Sequence, residues 1–125
     1  MRFNVECTKD SLDMTDADRQ DIVRICSSSR VGSKIIITHG TDTMDLTASA
    51  LLKGEIPSRR TIVLTGALRP ACLSRSDAEI NLGLALGVCL FAEPGIYVAM
   101  NGVYRGNNFV KDELTGEFKA HQGYS

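Results

Sequence analysis

Thr41 and Asp42 lie in the run His39-Gly40-Thr41-Asp42-Thr43-Met44, and Lys111 lies far downstream in Phe109-Val110-Lys111. A threonine hydroxyl reacts, or activates a water, only when a base takes its proton. A lysine can be that base if burial or a neighbouring cation lowers its pKa, and a carboxylate can orient it or bind a substrate ammonium. The three residue types together could therefore activate an attacking oxygen. Capping is the plainer use of the same turn. Thr41, Asp42 or Thr43 can accept a hydrogen bond from an unpaired N–H at a helix start, where the helix dipole favours an acidic residue. A cap explains one such residue and leaves the rest of His-Gly-Thr-Asp-Thr without a purpose.

The elements that must position these groups follow from apolar spacing. Lys34–Thr38, with Ile35-Ile36-Ile37, is a β-branched run suited to a parallel strand covered on both faces. Thr61–Thr65 and Ile96–Met100 read the same way, whereas Arg2–Cys7 alternates and reads as an edge or half-exposed strand. Thr15 with Asp18 makes a capping box ahead of a helix whose apolar face is Ala17, Ile22, Val23, Ile25 and Cys26. Met44, Thr47, Ala48, Leu51 and Leu52 share one side of a second helix, which ends at Gly54. Ser76 or Asp77 caps a third, ending before Pro94-Gly95. Its stretch Leu82 to Ala92 reads as a buried helix, with Gly83 and Gly87 allowing close approach to a sheet or neighbouring helix. Asn101-Gly102 signals a tight turn, and Arg105 to Ser125 reads as short strands or a hairpin. The alternation predicts an α/β fold of three αβα layers, a mostly parallel flavodoxin-like sheet and right-handed crossovers. Ser11, Thr41-Asp42, Ala67 and Asn101 then emerge on one edge of the sheet.

Composition narrows the classes. The 125 residues are 43% hydrophobic and 23% charged with a formal net charge of −1, which suits one globular domain over residues 1–125 and gives no positive field for nucleic acid. The four cysteines, Cys7, Cys26, Cys72 and Cys89, are scattered and only His39 and His121 could join them, so no metal site is expected. Cys26 and Cys89 fall in apolar helical patterns and read as small buried thiols of a cytoplasmic protein. The N-terminus lacks the apolar core of a secretory signal, and the Leu82 to Ala92 stretch is well short of the roughly 20 residues that span a bilayer, so no membrane partner is expected.

His39-Gly40-Thr41-Asp42-Thr43-Met44 resembles the second signature of the bacterial-type L-asparaginase family. The likeness continues in Thr65-Gly66-Ala67-Leu68-Arg69-Pro70, in Ser76-Asp77 with Asn81-Leu82, and in Tyr104-Arg105-Gly106-Asn107 with Lys111, so it runs from about Ser11 to Lys111. It implies a Thr-Lys-Asp group of Thr41, Lys111 and Asp42, with Asp42 also holding a substrate α-amino group, Ser11 its α-carboxylate and backbone around Ala67 its side-chain amide. It also implies hydrolysis of L-asparagine, with L-glutamine as a second candidate, and no cofactor. The family's Thr-Gly-Gly-Thr-Ile signature, which bears its usual threonine nucleophile and forms a strand inside the sheet, does not occur in this sequence, and a partial domain of the family's N-terminal type is expected. Without that strand the sheet must close up, stay gapped or borrow a strand, and a homo-oligomer pairing an end segment across an interface is expected. A catalytically inactive amino-acid-binding or assembly module, and a piece needing a separate N-terminal segment, are the alternative functions.

Overall fold

β-Branched runs build the centre of the sheet. Strands β2 (Lys34–Thr38) and β3 (Thr61–Thr65) bury Ile35, Ile36, Ile37, Ile62, Val63 and Leu64 almost completely. Each such side chain stabilises the fold by about 2 kcal/mol on leaving water. The computed structural model describes residues 3–7, 14–68, 77–112 and 117–120. Strands β1 (Phe3–Cys7), β2, β3 and β4 (Gly95–Ala99) run parallel in that order, and β5 (Val103–Arg105) returns antiparallel to β4 through the Asn101-Gly102 turn. A separate hairpin pairs β6 (Phe109–Lys111) with β7 (Phe118–Ala120). The α/β class and the mostly parallel sheet are thus as expected. β1 pairs directly with β2, Phe3 opposite Lys34 and Cys7 opposite Thr38.

Among the described residues three helices cover the sheet: α1 (Asp16–Ser27), α2 (Met44–Lys53) and α3 (Ala78–Phe91). α1 buries Arg19, Ile22, Val23 and Cys26, an i, i+3, i+4, i+7 stripe. Ile25 lies off that stripe and is 49% exposed, Ala17 is exposed as well, and Arg19 takes the buried place that neither occupies. α2 buries Met44, Thr47, Ala48 and Leu51, and leaves Leu52 exposed for the same reason. Gly54 ends α2 at φ −73, so its role is not a left-handed turn; Glu55 takes that conformation at φ 53. A Cβ at Gly54 would collide with Val23 of α1, which is why no side chain stands there. α3 buries one face only, Asn81, Ala85, Val88 and Cys89, while Leu82, Leu86, Leu90 and Phe91 are exposed. Nothing lies within 4 Å of a Cβ built at Gly83 or Gly87, so the close approach expected of these glycines is not made among the described residues.

α1 and α2 share a core with Ile35, Ile37, Ile62 and Leu64, whereas α3 packs on Ile36, Val63, Tyr97 and Ala99. The layers are therefore αβα. From β1 to β4 the chain always steps the same way across the sheet, yet the third helix lies on the opposite face from the first two. The hand of a crossover is fixed by step direction and face, so the connection through α3 is opposite in hand to the other two. Right-handed crossovers throughout were expected from twist alone, and the structure departs from that at least once. Chain leaving β2 turns to one face and chain leaving β3 to the other, which opens a crevice between their carboxyl ends. No helix among the described residues is long and apolar enough to cross a membrane.

Candidate active site

The crevice is held open by a close contact and a buried imidazole. His39, just after β2, donates its backbone N–H to the Thr65 carbonyl at 2.8 Å, extending the ladder by one rung. A Cβ at Gly66 would strike the His39 carbonyl oxygen, so only glycine fits there. The His39 ring is buried, with Nδ1 2.5 Å from the Gly40 carbonyl and Nε2 2.7 Å from Thr47 Oγ1. Burial pushes its pKa below the ordinary value and outweighs the opposing Gly40 hydrogen bond. The ring is thus neutral, Nδ1–H donating to Gly40 and Nε2 accepting from Thr47. His39 fixes the turn that carries Thr41 and Asp42 without reaching into the cleft, a role that its place in the motif did not reveal.

Lys111 arrives from the far end of the chain. On β6, Phe109 and Lys111 share a face, so burying one aims the other. Phe109 is 4% exposed, stacks on Phe118 at 5.2 Å between centroids and tilts against Tyr104, whose hydroxyl donates to the Phe118 carbonyl at 3.0 Å. With Phe109 anchored, Lys111 Nζ donates to Thr41 Oγ1 at 2.9 Å and to Asp42 Oδ1 at 2.8 Å. The ammonium is partly buried and the carboxylate half exposed. A cleft of about 650 Å³ opens here, lined by Thr41, Asp42, Asp45, Lys111 and Asp112 together with Phe109 and Val110. Asp42 pairs with Lys111 and Asp112 with Lys119 at 2.8 Å, which leaves Asp45 to make the lining acidic.

Ala67 sits at the end of β3, outside the lining of that cleft. Its segment is clamped by the residue that precedes α3 and by one within it. Asp77 accepts the Leu68 N–H at 2.9 and 3.1 Å instead of capping its own helix with its side chain. Asn81, fully buried, donates to the Gly66 carbonyl at 2.8 Å and accepts the Asn101 N–H at 2.9 Å, joining the ends of β3 and β4. Sequence reasoning assigned no site role to Asn81; a buried asparagine on an apolar helix was the available signal. Ser11 lies outside the described residues. Among the described residues no group of three His, Cys, Asp or Glu side chains could hold a metal ion.

Residues 1–122 match the family described as Asparaginase, N-terminal. The chain belongs to the asparaginase family. It is 37% identical to L-asparaginase 1 of Escherichia coli (strain K12) over 111 residues, which are 86% of this chain and 32% of that protein. It is 46% identical over 87 residues to an L-asparaginase of Thermococcus kodakarensis, covering 66% of this chain and 25% of that one. The solved structure of the thermostable L-asparaginase from Thermococcus kodakarensis superposes with a TM-score of 0.74 at 33% identity, over 90% of this chain and 36% of that one. The chain thus spans well under half the length of each of these asparaginase-family relatives.

Proposed function

We propose that this chain carries the chemistry of an L-asparagine amidohydrolase, forming aspartate and ammonia, with Thr41, Lys111 and Asp42 as the reacting group. The observation that carries the reading is the pair of hydrogen bonds from one Lys111 ammonium to Thr41 and Asp42 across some 70 residues of chain. The acidic lining suits a substrate bearing an α-ammonium. When that ammonium docks on Asp42 it competes with Lys111 for the carboxylate, and the step uses Lys111 as the free amine. Lys111 then takes the Thr41 proton while Thr41 takes one from a water. The water oxygen bonds to the side-chain amide carbon, the C–N bond breaks, and Lys111 returns its proton to the departing ammonia. Ser11 is assigned the α-carboxylate and backbone around Ala67 the amide; L-glutamine is the second candidate substrate. The exposed apolar residues of α3 support a homo-oligomer, and the buried thiols of Cys26 and Cys89 suit a cytoplasmic setting.

Ammonia release from L-asparagine by the wild type, Thr41→Ala and Lys111→Met tests this. Release by the wild type that falls about 100-fold or more in each variant is expected; release surviving both changes overturns it. A second reading, an amino-acid-binding module, predicts heat of L-asparagine binding without ammonia.

A further inference from the structure

One side of α2 faces the stretch of chain that leads to Lys111. Asp45, Ser49 and Leu52 follow one another at the spacing that stacks side chains along a single side of a helix. At the last turn Gly106 lies against Leu52, whose Cδ1 is 3.4 Å from where a Cβ at Gly106 would stand, and one turn back Asn107 donates to Ser49 Oγ at 3.1 Å. Asp45 holds the corresponding place in the first turn, where this side of the helix opens into the cleft lined by Thr41, Asp42, Lys111 and Asp112. Of the carboxylates there, Asp42 is held by Lys111 and Asp112 by Lys119, each at 2.8 Å. The Asp45 side chain is exposed and makes no hydrogen bond or ion pair among the described residues. A first-turn acid steadies its helix through the dipole whatever the cleft contains. Its place in the lining gives Asp45 a further use.

We infer that Asp45 is a specificity-determining residue that receives the substrate's α-ammonium together with Asp42. The inference rests on the reading of this cleft as the L-asparagine site and adds to it the group that selects for the ammonium. Lys111 donates to Oδ1 of Asp42, so an ammonium resting on Asp42 alone competes with it for a single carboxylate. An ammonium has several N–H donors, and Asp45 offers them an acceptor that no described cation holds. The substrate then competes with Lys111 for only one of its two anchors. A molecule of the same shape without the ammonium brings no charge to set against Asp45, and a carboxylate on it is repelled, so the residue discriminates by both attraction and repulsion.

Calorimetric titration of the full chain with L-aspartate, and with succinate as the same dicarboxylate lacking the ammonium, tests the inference without relying on turnover. In Asp45→Asn the Kd for L-aspartate is expected to rise about fivefold, while succinate binds as it does to the wild type or more tightly, because a repelling charge has gone. In Asp42→Asn, binding of L-aspartate is expected to weaken as well. Wild-type affinity for L-aspartate in Asp45→Asn, with binding weakened in Asp42→Asn, would overturn the inference and leave the reading of the cleft standing. Parallel weakening of L-aspartate and succinate in Asp45→Asn would make Asp45 a support of α2 and overturn the inference in the same way. No binding of L-aspartate by the wild type, or binding untouched by either change, would overturn both.

Discussion

Helices α1, α2 and α3 start with the same kinds of residue and use them differently. At α1, Thr15 accepts from the Asp18 N–H at 3.1 Å and Asp18 accepts from the Thr15 N–H at 3.0 Å, a complete capping box. At α2 the cap position is Thr43, whose side chain makes no capping hydrogen bond, and the adjoining Thr41 and Asp42 meet Lys111. At α3 the cap position is Asp77, whose carboxylate reaches back to Leu68. A missing cap forgoes about 1 kcal/mol of local stability. Two of three starts forgo it, and both border the crevice; polar residues turned away from their own helix mark where the fold is organised for something other than stability.

Substitutions at the two kinds of start separate activity from stability. The largest effect is expected at Asp42→Asn, which lowers ammonia release by about 100-fold or more while moving the urea midpoint little, because a half-exposed ion pair contributes under about 1 kcal/mol. Asn81→Ala strands the Gly66 carbonyl and the Asn101 N–H and should cost about 3 kcal/mol in urea unfolding; a loss too small to measure would mean that the clamp is not holding the β3 and β4 ends. Thr15→Ala should cost about 1 kcal/mol and leave ammonia release unchanged, and a fall in release would erase the distinction between the helix starts. The smallest effect is on pH. Burial keeps the folded His39 pKa below 6.5, so the unfolded chain takes up the proton first, and its contribution is full above about pH 6.5 and lost as the pH falls beneath it. Urea midpoints measured down this range should decline less steeply in His39→Gln than in the wild type.

Local pattern carried the elements into view. The bounds of β2 and β3, the Thr15–Asp18 box and the Asn101-Gly102 turn all follow from neighbours in sequence, because β-branched runs and caps are short-range physics. The face taken by α3 did not follow, since a helix apolar all round carries no stripe to say which side it covers. Nor did the direction of the Asp77 carboxylate, whose partner Leu68 belongs to a different loop. The meeting of Lys111 with Thr41 and Asp42 was implied by resemblance alone, because it depends on three aromatic rings seating a hairpin that closes a long loop. Ser11 and Ala67 were named on the same ground; Ser11 lies outside the described residues, and Ala67 is not in the described lining of the cleft around Lys111.

Whether Lys111 and Asp42 act as one unit is decided by the ammonia release of Asp42→Asn, Lys111→Met and the double variant beside the wild type. Groups that work together lose most of the rate when either is removed, so the double variant should be no slower than the slower single one. Losses that multiply in the double variant, or a wild type that releases no ammonia, would contradict the account.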